Sequence, residues 1–235
     1  MDGASSTSPA SVGVVIPAAG SGRRMGGAPK QYRQLGDAPV LVQTLRAFSR
    51  HPEVGGIVVV VPGGAVQDTA RQLAVGGVEV DVVAGGETRQ ASVGNGLAAL
   101  PEGVHWVLVH DAVRPFVSST LISKVIQAVR ASGAAAPAVP VSDTLRRSGG
   151  EVFGETVSRE GLWAMQTPQG ARRDLLEIAY ARAGDALTTD EVGLLQRAGV
   201  EVAVVLGDTR NIKLTRAEDW ETALAVWPTW SAEHG

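Results

Sequence analysis

Short valine-rich runs alternate with amphipathic stretches through the first half of the chain, and this rhythm constrains the fold more than any other feature. The runs are continuously apolar, which is typical of strands buried on both faces of a parallel sheet. They lie at Val12–Ile16, Gly56–Val61, Val78–Val83 and Trp106–Val109. Helical patterns separate them, at Val40–Arg50, Val66–Ala74, Arg89–Leu100 and Leu121–Ala131. This alternation predicts an α/β chain with a doubly wound, mostly parallel, Rossmann-like sheet.

The second half of the chain departs from this rhythm. Ala134–Val141 has the composition of a further strand, but Ser142–Gly161 is polar and rich in turn residues. A Ser-Gly-Gly between two strand-like pieces predicts a β-arm projecting from the sheet. Beyond the arm we expect two helices, a strand, a short segment and a last helix, near Arg173–Ala183, Asp190–Ala198, Val200–Leu206, Asn211–Leu214 and from about Arg216. The organisation predicted is a disordered leader over residues 1–11 and a single domain over residues 12–235 that carries the arm.

Composition excludes several classes of function. The net charge of −3 argues against nonspecific binding of nucleic acid, which requires a basic surface. The absence of cysteine excludes disulfides, thiolate catalysis and cysteine-ligated metals. The most apolar run, Ile57–Pro62, is too short to cross a bilayer, and the polar start of the chain lacks the pattern of a signal peptide. We therefore expect a cytoplasmic protein with neither nucleic acid nor a membrane as partner.

The stretch Val14–Tyr32, VVIPAAGSGRRMGGAPKQY, carries the strongest functional signal. A strand leads into small residues, and ligands of open parallel sheets gather at the carboxyl ends of strands. Gly20 and Gly22 allow backbone N–H groups to approach an anion, and Arg23, Arg24 and Lys30 supply positive charge for a triphosphate. The two best-known phosphate loops fit poorly, because Met25 replaces a glycine of the dinucleotide fingerprint and Arg23-Arg24 stand where a Walker loop needs Gly-Lys.

The composite PAAGSGRRM…PKQY resembles the entry signature of the 2-C-methyl-D-erythritol 4-phosphate cytidylyltransferases, which have a GT-A-like nucleotidyltransferase fold. The resemblance implies that this loop wraps the triphosphate of CTP. The nucleotide contacts implied here are Pro17, Ala18, Ala19, Gly20, Gly22, Arg24 and Lys30. Of these, Arg24 and Lys30 would act catalytically by neutralising charge at the reacting α-phosphate.

The segment Val82–Leu97 also enters a helix from a strand, and a Ser or Thr helix cap would explain it without any function. It resembles the family's GGxxRxxSVxxGL segment. That resemblance implies contacts from Gly86, Glu87 and Ser92 to the base and ribose. We interpret Arg89 as a packing or salt-bridge residue.

Trp106–Pro115, WVLVHDAVRP, places Asp111 at the carboxyl end of an apolar strand. Position alone fits a turn or helix cap as well as a metal ligand, since Mg²⁺ is often held by one carboxylate and substrate phosphates. The segment resembles the family's HDAxRP motif, which implies that Asp111 binds Mg²⁺ and lies near the sugar phosphate. Arg114 would contact the substrate and organise the site. We interpret His110 as structural, because an already ionised phosphate needs no general base.

Four later segments complete the resemblance. PVSDTL and VSREGLWAMQTPQ imply that Thr144 and Arg159 of the arm bind the acceptor's phosphate from a neighbouring subunit, in a homodimer that exchanges arms. TTDE implies a contact from Thr189 to the polyol, although Thr189 or Asp190 would also serve as a helix cap. NIKL implies that Lys213 is a further catalytic, phosphate-binding cation.

The predicted reaction joins CTP to a polyol phosphate with release of pyrophosphate, for non-mevalonate isoprenoid synthesis. Two alternatives remain open on the sequence. One is a sibling cytidylyltransferase acting on ribitol 5-phosphate, which would share the phosphate loop and Asp111. The other is a nucleotide-binding regulatory relative without catalysis, which need not retain Lys30, Arg24, Asp111 and Lys213 together.

Overall fold

A mixed eight-stranded sheet flanked by helices on both faces organises the chain, confirming the predicted α/β class. The computed structural model describes residues 11–20, 29–184 and 188–234. The predicted leader therefore lies outside the described residues, except for Ser11, which already belongs to the first strand. The strands are β1 (Ser11–Pro17), β2 (Gln34–Leu35), β3 (Ala38–Pro39), β4 (Val54–Val61), β5 (Asp81–Ala84), β6 (Val104–Val109), β7 (Ala134–Pro140), β8 (Leu145–Ser148), β9 (Phe153–Val157), β10 (Trp163–Met165), β11 (Gln169–Arg172) and β12 (Ala203–Leu206). The helices are α1 (Val40–Ser49), α2 (Val66–Val75), α3 (Arg89–Ala99), α4 (Ser119–Ser132), α5 (Arg173–Arg182), α6 (Glu191–Arg197) and α7 (Ala217–His234).

The first half of the sheet is parallel, as its apolar runs predict. The strands β5, β4, β1 and β6 lie side by side in that order. Along β1 the side chains alternate between two cores, with Val14 and Ile16 in the core against α1 and α4, and Val15 in the core against α3, α5 and α6. Because both faces are covered, both sets of side chains are apolar.

Most of the differences from prediction lie in the second half of the chain. β11 runs antiparallel between β6 and β7, and β10 continues along the same side of β7, while β12 pairs with its other side in parallel. Neither β10 nor β11 was predicted, because β10 is only three residues long and β11 is not a continuous apolar run. Two predicted strands are also shorter than expected, beginning at Asp81 rather than Val78 and at Ala203 rather than Val200, since only those later residues pair with a neighbouring strand.

The predicted arm forms a hairpin of its own. β8 and β9 pair antiparallel with each other as a separate two-stranded sheet. Most of their residues are exposed, so the hairpin has no core within its own chain. The C-terminal helix α7 instead packs over β2 and the segment after β6, where Phe116 and Trp230 are buried together.

Candidate active site

One pocket of about 620 Å³ opens at the carboxyl ends of β1, β5 and β6. We call it the strand-end pocket. It brings together ten of the predicted site residues, namely Pro17, Ala18, Ala19, Gly20, Lys30, Gly86, Glu87, Ser92, Asp111 and Lys213. Six further lining residues were not assigned to a site by sequence reasoning: Gln31, Thr88, Arg89, Ala112, Val113 and Thr215. The predicted residues Gly22 and Arg24 lie outside the described residues.

The first wall of the pocket is the end of β1 and the short 3-10 helix Lys30–Tyr32. Gln31 is buried and its side-chain amide donates a hydrogen bond of 2.9 Å to the carbonyl of Ala18. This bond ties the helix to the strand end and so places Lys30 on the pocket wall. A glutamine beside the conspicuous lysine gave no sequence signal of its own, so its role was missed.

The second wall is the loop that enters α3. Thr88 caps the helix by accepting from the backbone N–H of Ala91 at 3.0 Å. This is the Ser or Thr helix cap that the sequence allows for this segment. The hydroxyl of Ser92 donates to the carbonyl of Thr88 at 2.9 Å and accepts from the N–H of Gly86 at 3.2 Å. Ser92 thus lines the pocket while its hydroxyl shapes the loop from within.

The two walls approach each other closely at Gly85. A Cβ atom there would lie 2.7 Å from Oγ of Ser92 and 3.0 Å from Cβ of Ala19. Such distances are shorter than van der Waals contact, so a glycine is required for the loop to lie against the end of β1. The nucleotide segments predicted separately from sequence therefore form one continuous surface.

Asp111 lies where β6 ends, on the third wall. Its Oδ2 atom is 3.0 Å from Nε of Arg114 and 3.1 Å from Nζ of Lys213, and only 9% of the residue is exposed. Burial alone would raise the pKa of this carboxyl, but the positive charges of Lys213, Arg114 and Arg89 outweigh it and lower the pKa to about 2. Asp111 is therefore a carboxylate at any physiological pH.

Arg114 forms an ion pair with Asp111 but is not a lining residue of the pocket. Its guanidinium also donates to the carbonyl of Asn211 at 2.8 Å, which fixes the segment that carries Lys213. The buried side chain of Asn211 in turn donates to the carbonyl of Thr167 at 2.8 Å. The organising role predicted for Arg114 thus has a structural basis in this network.

His110 is fully buried beside this network. One ring nitrogen is 3.0 Å from Oγ1 of Thr167 and the other is 3.1 Å from the carbonyl of Arg114. Burial lowers the pKa of His110 to about 4, so the ring is neutral near pH 7. With both nitrogens bonded inside the fold, His110 is structural, as predicted.

Arg89 forms the predicted salt bridge, with Glu191 at the start of α6. The two guanidinium nitrogens donate to the two carboxylate oxygens at 2.7 and 2.9 Å. Glu191 is almost completely buried, whereas Arg89 also lines the strand-end pocket. The sequence therefore predicted the partner type of Arg89 correctly and missed its place at the site.

Besides Arg114, three residues predicted to contact the acceptor lie outside the lining of the pocket in their own chain. Thr144 and Arg159 are exposed on the arm, where Arg159 donates to the carbonyl of Ser142. Thr189 is exposed just before α6, whose N-cap is Asp190, with its carboxylate accepting from the N–H of Gly193 at 3.0 Å. The structure thus brings the described nucleotide-side residues together in one chain and leaves the arm residues outside the lining of that pocket.

Comparison with known proteins agrees with this architecture. The family model described as IspD, 2-C-methyl-D-erythritol 4-phosphate cytidylyltransferase, matches residues 12–227. The chain is 53% identical over 221 residues to the 2-C-methyl-D-erythritol 4-phosphate cytidylyltransferase of Salinibacter ruber, covering 92% of this chain and 93% of that protein. It is 45% identical over 208 residues to a bifunctional enzyme IspD/IspF of Desulfotalea psychrophila, covering 88% of this chain and 54% of that protein.

A solved structure supports the same assignment. The crystal structure of 2-C-methyl-D-erythritol 4-phosphate cytidylyltransferase from Thermus thermophilus superposes with a TM-score of 0.81 at 38% identity. The match covers 93% of this chain and 99% of that one. The phosphate loop, Asp111 and Lys213 each lie in segments that resemble this family, and the family model spans all three. The chain belongs to the family of 2-C-methyl-D-erythritol 4-phosphate cytidylyltransferases.

Proposed function

We propose that the strand-end pocket binds CTP together with 2-C-methyl-D-erythritol 4-phosphate and transfers the cytidylyl group from the first to the second. The products are 4-diphosphocytidyl-2-C-methyl-D-erythritol and pyrophosphate, for non-mevalonate isoprenoid synthesis. The observation that carries the proposal is the convergence of Lys30, Lys213 and Asp111 on the same pocket as the two glycine-containing walls. A cytoplasmic location is part of the proposal and fits a chain without cysteine. No helix among the described residues has the length and apolar character needed to cross a membrane.

The chemistry requires positioning and charge more than a protein nucleophile. A phosphate oxygen of the acceptor attacks the α-phosphorus of CTP, the new P–O bond forms, and the bond to the β-phosphate oxygen breaks as pyrophosphate leaves. Lys30 and Lys213 stabilise the negative charge that develops on the phosphate oxygens. Because the acceptor phosphate is already ionised, the reaction needs no general base, which is consistent with His110 being buried and neutral.

The residues of the pocket fit one Mg²⁺ ion. Among the described residues no group of three or more His, Cys, Asp or Glu side chains is arranged to hold a metal, so a protein cage for the ion is not part of the proposal. The ionised carboxylate of Asp111 would hold Mg²⁺ together with phosphate oxygens of the nucleotide, a donor set that this hard cation accepts. When bound, the ion would add positive charge at the reacting phosphates.

Nucleotide selectivity tests the proposal directly. We expect CTP with Mg²⁺ to stabilise the protein by about 2.7 kcal/mol at a hundredfold excess over Kd. For a chain of this size that is a rise in Tm of several degrees, at roughly 2–4 °C per kcal/mol. UTP, ATP and GTP should stabilise it less. Equal shifts with all four nucleotides would contradict the selection of cytidine. Pyrophosphate release scored with methylerythritol phosphate and with ribitol 5-phosphate then identifies the acceptor.

The proposal includes a homodimer in which each arm completes the partner's site. Met165 and Leu206 both pair with Ala138, so their side chains lie on one face of the sheet. Both are exposed, at 40% and 62%, together with Trp163 and Val204 on the same face, and Phe153 on the arm is 81% exposed. A second copy of this chain would cover these apolar side chains. It would also bring Thr144 and Arg159, which do not line their own chain's pocket, to the partner's.

Mixed dimers test the exchange of arms. Lys30→Ala should lower kcat by about 10²–10³, as expected for removal of one electrostatic stabiliser, and Arg159→Ala should be similarly inactive. In a dimer of the two variants, crossing arms leave one site with both defects and the other intact. Random pairing then restores roughly a quarter of the wild-type activity. If demonstrably mixed dimers are no more active than the variant homodimers, the arm does not cross.

A further inference from the structure

We propose that the Arg89–Glu191 ion pair is a positioning device that fixes the acceptor-side segment 188–190 to the nucleotide-side segment 86–92. The inference rests on the proposed function, since it concerns how the two substrate sites are held together. Arg89 is the first residue of α3 and Glu191 is the first residue of α6. A second contact joins the same two segments, from Oγ1 of Thr188 to Oε1 of Gln90 at 3.4 Å.

Glu191 is held more firmly than a single ion pair requires. The hydroxyl of Tyr180 donates to its Oε1 at 3.2 Å, and its own backbone N–H donates to Oε1 of Gln169 at 2.9 Å. The amide of Gln169 donates in turn to the carboxylate of Asp190, the N-cap of α6, at 3.0 Å. The bidentate pairing with Arg89 therefore acts on a carboxylate whose position is already fixed, and it transmits that position to the start of α3.

Stability alone is a weak reason for such a pair. A buried ion pair contributes little compared with apolar residues of similar size, because both charges lose their hydration. Its two parallel hydrogen bonds nevertheless specify distance and orientation. Here the ion pair fixes the distance between two parts of the site. One part is Gly86 and Glu87, which line the pocket, and the other is Thr189, the expected polyol contact.

The geometry also separates Arg89 from the cations that act on the phosphates. Both of its terminal nitrogens donate to Glu191, although the residue lines the pocket. Lys213 instead pairs with Asp111 at the pocket's third wall. Arg89 is accordingly a positioning residue, with Glu191 as the group through which it acts.

Kinetics of Glu191→Gln, Arg89→Gln and the double variant test this role. Glu191→Gln keeps the size of the side chain and removes its charge. We expect kcat/KM for the acceptor phosphate to fall by about 100-fold, the loss that a small misplacement can cause, while KM for CTP changes little. Arg89→Gln should behave alike, and the double variant should be no worse than either single one because the two residues act as a unit. Arg89→Lys should remain impaired, since lysine keeps the positive charge but cannot donate two parallel hydrogen bonds to the carboxylate.

Other outcomes overturn the inference. If Arg89→Gln is impaired and Glu191→Gln is not, or if the two losses add in the double variant, Arg89 acts directly on a substrate. A lowered Tm with unchanged kinetic constants means that the pair is only structural. The matched control is Glu53→Gln, which breaks the half-buried Glu53–Arg130 pair at the opposite end of the sheet and should leave both KM values unchanged.

Hydrogen exchange in the absence of substrates separates this inference from the proposed function. The N–H groups of Glu191, Val192 and Gly193 are bonded to Gln169 and Asp190. We expect their exchange, and that of the amides in segment 86–92, to become faster in Glu191→Gln than in wild type or Glu53→Gln. Unchanged exchange at both segments overturns the inference whatever the enzyme does. If the wild type releases no pyrophosphate from CTP but the exchange accelerates as expected, the proposed function fails while the positioning role stands.

Discussion

Replacing Asp111 by asparagine tests the electrostatics of the site without any substrate. The carboxyl has its pKa lowered to about 2 from an ordinary value of 3.8, because Lys213, Arg114 and Arg89 outweigh the effect of burial. One pKa unit corresponds to about 1.4 kcal/mol, so the ionised carboxylate stabilises the fold by about 2 kcal/mol. We expect Asp111→Asn to lower the free energy of unfolding by that amount at pH 7.

The lowered pKa also determines how the stability difference between wild type and Asp111→Asn varies with pH. A carboxyl whose pKa is depressed in the folded state contributes its full stability above the unfolded pKa. The contribution is lost as the pH falls toward the folded value. The difference between wild type and Asp111→Asn should therefore be constant from pH 7 to about pH 4 and shrink between about pH 4 and about pH 2.

Urea denaturation of the ligand-free protein at several pH values measures this difference. The corresponding fall in Tm at pH 7 is about 4–8 °C, at roughly 2–4 °C per kcal/mol. The control is Asp174→Asn, which removes an exposed carboxylate paired with Arg172 and should change stability by no more than about 1 kcal/mol. Equal stability of wild type and Asp111→Asn at pH 7, or a difference that does not change below about pH 4, would refute the reasoning.

Two further predictions concern the core around the site. Burial lowers the pKa of His110 from 6.5 to about 4, so the free energy of unfolding should fall by up to roughly 3 kcal/mol as the pH drops through that window. His110→Asn should flatten this part of the urea-denaturation profile, and an unchanged slope would count against a neutral buried ring. Gly96→Ala should destabilise the fold by about 1–3 kcal/mol, since its Cβ would lie 2.5 Å from Cγ1 of Val15 and 2.8 Å from Cγ2 of Val60. Gly64→Ala, with no atom near its Cβ, is the control in the same thermal melts, and equal Tm values for the two variants would contradict the packing argument.

The parallel half of the fold could be predicted because its inner strands β1, β4 and β6 are largely buried on both faces and therefore have long apolar runs. β11 could not, because its sequence Gln-Gly-Ala-Arg has no such run and its pairing with β6 and β7 is set by distant residues. Gly170 illustrates the constraint, since a Cβ there would lie 2.6 Å from Cδ2 of Leu108 and 2.7 Å from Cγ2 of Val129. A glycine that serves close packing looks the same in sequence as one that serves a turn.

The residues of the candidate site likewise include some that the sequence identifies and some that it does not. Asp111 was found because a charged residue at the end of an apolar strand stands out, and because its segment resembles a family motif. Lys30 and Lys213 were found because they lie in further segments that resemble the same family. Gln31 and Gln169 did not stand out, because an uncharged amide that bonds to backbone groups has no distinctive spacing in sequence. Their roles depend on which carbonyl or N–H group the fold brings within reach, such as the carbonyl of Ala18 for Gln31.

The short stretch Gln166–Gln169, which runs from the end of β10 to the first residue of β11, connects the two sides of the site. Thr167 accepts the backbone N–H of Asp111 at 3.1 Å, so this stretch supports the carboxylate at the end of β6. Two residues later, Oε1 of Gln169 accepts the N–H of Glu191 at 2.9 Å and thereby supports the start of α6. The carboxylate expected to hold the metal and the helix start expected to hold the polyol are thus braced from the same antiparallel segment. A disturbance of that segment should reach both sides of the site at once, even though none of its residues lines the strand-end pocket.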